Sequence, residues 1–361
     1  MLLVPIFSFL HTISVSKTIL ITGGAGFIGV NAAERFLKNS WNVVIFDNFS
    51  RKGTDINRAF LEKNFSSGLE IVKGDIRTDQ KKLEELCERA DVVLHLAAQV
   101  AVTTSVVNPR EDFEINALGT FNVLEAVRKS KKRPFVIYAS TNKVYGGLED
   151  LNVEEGPERY SFGKSVPEGG VSEMQLLDFH SPYGCSKGAA DQYVRDYSRL
   201  YDMKTVVLRQ SCIYGPHQMG IEDQGWVAWF MIAALFGKPV QIYGNGKQVR
   251  DLLYVDDLIN AYVLCVEKMD AVSGHAFNLG GGVDNTLSLL EFMDLLKNDL
   301  KMNITYSFGQ TRPGDQPIFI SNNYKFYEKT GWKPKMDVRK GIGALLSWLK
   351  DNKEEIGKFY R

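Results

Sequence analysis

Residues 18–22 (TILIT) run directly into Gly23-Gly24-Ala25-Gly26-Phe27-Ile28-Gly29, and this junction restricts the architecture more than any other stretch. The short β-branched, apolar run fits a strand buried on both faces, and residues 30–38 after the glycines read as a helix. Glycines between strand and helix permit the tight turn, let backbone approach a pyrophosphate and let the helix pack closely. The helix N-terminus then offers unpaired N–H groups to phosphate oxygens. The next strand, residues 42–46, leads into Asp47, about 20 residues past the last glycine and placed to bond a ribose 2′-hydroxyl, which favours NAD over NADP. A glycine cluster alone marks only a turn. Strand, glycines, helix, strand and acid in this order mark a dinucleotide site.

The alternation continues. Residues 70–73 lead to Gly74-Asp75-Ile76, residues 80–89 read as a charged helix, and residues 91–96 run into Leu96-Ala97-Ala98. A long amphipathic helix is expected over 113–130, then buried strands over 134–140 and 205–208. Strands alternating with helices predict an α/β fold, a Rossmann-type doubly wound parallel sheet with its ligand at the carboxyl ends of the strands. Past residue 208 the alternation stops and aromatic and loop residues increase. The expected division is a dinucleotide-binding domain over 17–208 with a returning segment 252–282, and a smaller C-terminal substrate-binding lobe over 209–251 and 283–361. Residues 1–16 read as a disordered extension: the apolar run is interrupted by Pro5, lacks a positive flank and is too short to span a bilayer.

Chemistry enters at residues 181–194, SPYGCSKGAADQYV. If this stretch is helical, Tyr183 and Lys187 stand four apart on one face and point into one cavity. A tyrosine titrates near pH ~10, so its use as a base near neutrality requires the phenolate to be favoured by roughly three units, about 4 kcal/mol. A lysine cation and a positively charged nicotinamide ring are suited to that. Thr141, closing the strand over 134–140, would face Tyr183 across the crevice, its hydroxyl free to bond a substrate oxygen.

With 43 basic and 43 acidic residues, no net field draws the chain to nucleic acid or to an anionic membrane. Any anionic ligand must therefore be met by local charge. Arginines suit a diphosphate, because a planar guanidinium fork pairs two phosphate oxygens. Cys87, Cys185, Cys212 and Cys265 are widely spread, with no metal-binding or disulfide pattern, which suits a reducing cytoplasm. The five histidines are scattered, so no metal is expected. Residues 223–226 (DQGW) are a turn that can line a ligand pocket, and residues 148–179 read as an insertion over the site.

Gly23-x-x-Gly26-x-x-Gly29, Asp47, Asp75-Ile76, Leu96-Ala97-Ala98, Thr141 four residues before Tyr145, and Tyr183-x-x-x-Lys187 together resemble the extended short-chain dehydrogenase/reductase family, in its NAD-dependent nucleotide-sugar epimerase and dehydratase branch. The resemblance spans about residues 17–350. It implies a tightly held NAD, Tyr183 as the base, Lys187 on the cofactor ribose and lowering the tyrosine's pKa, and Thr141 on the reacting hydroxyl. It further implies cofactor contacts from Phe27, Ile28, Asn48, Ser50, Arg51 and Gln99. Substrate contacts are implied for Thr103, Thr104, Asn142, Arg209, Gln224 and Asp315, and Arg250 and Arg312 are implied for the diphosphate. Longer strings at 46–53, 99–105, 140–146, 178–193 and 223–230 are similar to one subgroup, which inverts C2 of a CDP-linked deoxyhexose through a transient 2-ketone. Two departures from sibling enzymes accompany it: Asn142-Lys143 stands where dehydratases carry an Asp-Glu pair, and Cys212 where an asparagine is common. The resemblance also suggests a homo-oligomer. A 4-epimerase of a UDP- or dTDP-hexose and a non-catalytic NAD-binding regulator remain open.

Overall fold

The computed structural model describes residues 16–163, 166, 169–312 and 315–360, so the extension read over 1–16 lies outside it except for Ser16. Seven parallel strands form one sheet, in the order Ala276–Leu279, Thr205–Gln210, Phe135–Thr141, Val92–His95, Thr18–Thr22, Asn42–Asp47, Leu69–Lys73. The sequence order reverses beside Thr18–Thr22, whose neighbours are the second and fourth strands of the sheet. The carboxyl ends are in register there, Thr22 opposite both Phe46 and His95. A crevice opens where successive crossovers leave to opposite faces.

Both faces of the sheet are covered, which is why its strands read as unbroken apolar runs. Ile19, Ile21, Val43, Ile45, Leu94 and Leu208 face the helices Phe27–Lys38 and Val255–Glu267, meeting Val30, Phe36, Leu258 and Tyr262. The alternate residues Leu20, Val44, Val93, Val136 and Val207 face the other layer, where Leu83, Val123, Leu124, Ala190 and Val194 pack. A separate core joins the helix Trp226–Leu235, the strand Val240–Tyr243 and the helix Val338–Asp351 through Met231, Ile242, Ile342 and Leu345. Beside it, Val249–Tyr254 pairs parallel with Cys212–Tyr214 and with Ile318–Phe319, and antiparallel with Thr286–Ser288.

The helix expected over 113–130 is broken into Pro109–Phe113, a π turn Glu114–Leu118 and Gly119–Lys129. The π turn carries Asn116 inward, where its amide donates to the Gln99 carbonyl at 3.0 Å, the Asp112 carboxylate at 3.1 Å and Ser186 at 3.1 Å. That polar cluster outweighs the regular helical repeat.

Candidate active site

The crevice is a cavity of about 690 Å³ at the carboxyl ends of the strands. One wall is the glycine turn. Gly23 has φ +70°, and a Cβ there would sit 2.7 Å from the Ala97 nitrogen; at Gly29 it would sit 2.5 Å from the Gly23 carbonyl oxygen. The turn is thus held tight enough to leave a cradle that side chains would fill. Gly26 caps the helix Phe27–Lys38 with no side chain of its own, so the first-turn N–H groups face the cavity. Gly29→Ala is expected to push this helix off the turn, cost about 1–3 kcal/mol as an overpacked substitution does, and lower cofactor retention; thermal melts and bound-cofactor assay after gel filtration check it.

Asp47 closes the neighbouring strand with its carboxylate buried, accepting from the Ala25 N–H at 3.0 Å and the Phe49 N–H at 2.8 Å. Burial raises its pKa, and these two N–H groups oppose the rise. The same side chain therefore braces the glycine turn from behind. Asp75 also lines the cavity; Arg77 chelates its carboxylate, Asn48 donates to it at 3.0 Å, and its pKa falls to about 2, Arg77 being the chief cause. Phe27, Ile28, Ser50, Arg51, Ile76, Leu96, Ala97 and Ala98 line the same space.

Opposite them lies the helix Ser181–Tyr201. The Tyr183 N–H in its first turn donates to Ser105 Oγ at 3.1 Å, which fixes the ring's origin. Thr141 beside the phenol favours its anion, yet burial dominates and pushes Tyr183 up to about 12. Lys187 donates to the Ala139 carbonyl at 2.7 Å and lies 4.3 Å from the centre of the Tyr138 ring. Burial drives it down to about 7, against Asp191 and Asp112, which favour its charge. The expected lowering of the tyrosine by the lysine is therefore not met within the protein alone: desolvation disfavours both charged forms.

Thr141, Tyr183 and Lys187 share one cavity with Thr103, Asn142, Gln224, Arg250, Arg312 and Asp315. Three residues expected at the site do not line this cavity. Gln99 spends its amide on the Ala101 carbonyl and Asp112, and its oxygen on the Ala101 N–H. Thr104 points to the exterior on its short helix. Arg209, 2% exposed, lies behind the cavity, donating to Asp191 at 2.9 and 3.0 Å and to the Tyr145 hydroxyl at 2.9 Å. Within 148–179 none of the described residues lines this cavity, while Tyr160 lines an adjoining one together with Gln248 and Asp315. The segment's hairpin and Val171, which bridges to Ser321, pack on Val144, Tyr145 and Phe319 because Leu151, Phe162, Leu177 and Phe179 need an apolar partner.

The structure adds residues that sequence reasoning passed over. Lys143, Tyr243, Gln218 and Gln248 line the cavity, and Arg312 stacks over the Tyr243 ring at 3.8 Å while pairing with Asp223 at 3.0 Å. The residues of the DQGW turn line it too, while Trp229 does not. Only Lys143 had a local signal, standing two residues past Thr141. Away from the cavity, Glu149, Asp178 and His180 bring ligand atoms within 4.8 Å of one another on the surface. Among the described residues no helix is long and apolar enough to cross a membrane.

Residues 19–280 match the model of the NAD dependent epimerase/dehydratase family. Over 336 residues the chain is 42% identical to the CDP-paratose 2-epimerase of Salmonella typhi, covering 91% of this chain and 98% of that one. It is 31% identical to the UDP-glucose 4-epimerase of Mycolicibacterium smegmatis, over 93% of this chain and 99% of the relative. Among solved structures, the UDP-glucuronic acid 4-epimerase of Bacillus cereus in complex with UDP-glucuronic acid and NAD superposes with a TM-score of 0.80 at 29% identity, covering 93% of this chain and 99% of that one.

Proposed function

The chain belongs to the NAD-dependent epimerase/dehydratase family, and from that premise we propose that it interconverts CDP-paratose and CDP-tyvelose by inverting C2. The 42% identity to a CDP-paratose 2-epimerase across almost the whole of both chains carries this reading.

NAD bound along the glycine turn, Asp47, Asp75 and the Leu96–Ala98 segment supplies a reversible hydride acceptor and, when oxidised, a positive charge. Tyr183 accepts the proton of the substrate's C2 hydroxyl as that carbon is oxidised and returns it on reduction of the other face. Burial pushes Tyr183 up to about 12 and so keeps the phenol neutral within the protein alone; the positive nicotinamide ring would favour the phenolate that accepts the proton. Thr141, beside the phenol in the same cavity, positions the same hydroxyl. Lys187 holds the cofactor ribose, and Arg250 and Arg312 take the diphosphate, with Thr103, Asn142, Gln224 and Asp315 around the sugar. The separate core beyond residue 208 supports a division into 17–208 plus 252–282 and a substrate lobe of 209–251 and 283–361. The protein is proposed to act in the cytoplasm as a homo-oligomer.

The UDP-glucose 4-epimerase relatives favour a second reading, inversion at C4 of a UDP-sugar. Incubation with CDP-, UDP- and dTDP-hexoses, followed by mass spectrometry and NMR of the altered carbon, separates the two. We expect inversion at C2 of the CDP-sugar; inversion at C4 alone would end the 2-epimerase reading. NAD-loaded protein that turns over no nucleotide sugar would favour a regulator.

A further inference from the structure

At one end of the cavity a single carboxylate oxygen serves two cations. Asp315 Oδ1 lies 2.6 Å from Arg250 Nη2 and 3.6 Å from Lys143 Nζ, and all three side chains line the cavity. The closer, shorter pair is Arg250 with Asp315, so the ammonium of Lys143 is left with half a partner. The other titratable group facing it, Cys212, is kept a neutral thiol by burial. The neighbouring Asp251 carboxylate is spent on the Ser211 hydroxyl and the N–H groups of Gly282 and Ser321. A cation withdrawn from water without full compensation costs free energy until an anion joins it. Burial, with Arg250 beside it, accordingly pulls Lys143 down to about 8, and Asp315 only partly resists.

The place of this lysine says which anion. Its backbone N–H donates to Thr141 Oγ1 at 3.2 Å, in the turn Asn142–Tyr145. Its side chain then reaches Arg250 and Asp315. A nucleotide sugar that engages Thr141 with its hexose and Arg250 with its diphosphate must pass this ammonium at the link between the two. We propose that Lys143 is a phosphate ligand, binding with Arg250 the phosphate attached to the sugar and so setting the depth of the hexose against Thr141 and Tyr183. This rests on the nucleotide-sugar reading above.

The test is titration calorimetry of the NAD-loaded protein with CDP and with CMP, in wild type, Lys143→Met and Lys143→Arg, with thermal melts of each. The β-phosphate of CDP stands in for the sugar-side phosphate, and CMP lacks it. Lys143→Met is expected to weaken CDP by about 30-fold or more, as loss of one partner of a buried charge pair does, and to leave CMP within about twofold. As pH rises from about 7 to about 9.5 the wild-type ammonium deprotonates while the nucleotide charge is constant, so CDP affinity should fall. Lys143→Arg, which does not titrate in this range, should keep its affinity across it. Unchanged CDP binding in a folded Lys143→Met protein makes the lysine a structural partner of Asp315 and overturns the proposal. Equal losses for CDP and CMP overturn the assignment to the sugar-side phosphate. A wild type that binds neither CDP nor UDP, the latter titrated as a control, sinks the nucleotide-sugar reading itself, and this ligand with it.

Discussion

Tyr183→Phe is expected to lower turnover by about 10²–10⁴-fold while NAD stays bound and the melting temperature moves little. The ring keeps its burial and its backbone bond to Ser105, so only the hydroxyl and its contact with Thr141 are lost. Deleting one partially satisfied hydroxyl costs folding about 1 kcal/mol. The chemical step suffers far more, because the hydroxyl is the group that exchanges the proton with the substrate, and Thr141 is far too weak an acid-base partner to replace it. Steady-state rates and absorbance of retained cofactor read the two effects separately. Near-normal turnover in this variant removes Tyr183 from the mechanism.

Arg209→Met is expected to destabilise the fold by about 3–5 kcal/mol, the cost of leaving a buried charge uncompensated. Asp191 is fully buried and takes two of its hydrogen bonds from Arg209, with Ser140 giving a third at 2.9 Å. Arg209 also binds the Tyr145 hydroxyl, which in turn donates to Asn278 at 2.8 Å, so the loss spreads through a connected polar network. The double variant Asp191→Leu/Arg209→Met, which removes both charges, should recover most of the stability. Denaturant melts of the three proteins decide it. A single variant with wild-type stability and a raised KM would instead restore Arg209 as a substrate contact.

These two residues illustrate how far the chain could be read unaided. Tyr183 and Lys187 were legible because a four-residue spacing on one helix is local geometry, and Ser181–Tyr201 is helical. The glycine turn and Asp47 were legible for the same reason. Arg209 was misplaced: a lone arginine near a strand end resembles a ligand contact until its partner is known, and Asp191 and Tyr145 come from other elements. Lys143 was passed over for the complementary reason. The neutral overall charge drew attention to arginines, whereas its surroundings are set by Arg250, Asp315 and Cys212, distant in sequence.

What the amino-acid order determined by itself was the alternation of buried strands and helices, with the tight glycine junction, since hydrophobic period and backbone freedom act over neighbouring residues. Tertiary packing alone decided which charges meet, which face of 148–179 is covered and how burial displaces Tyr183 and Lys187. Desolvation and ion pairing depend on what surrounds a group in space, and that is known only once remote segments have been brought together.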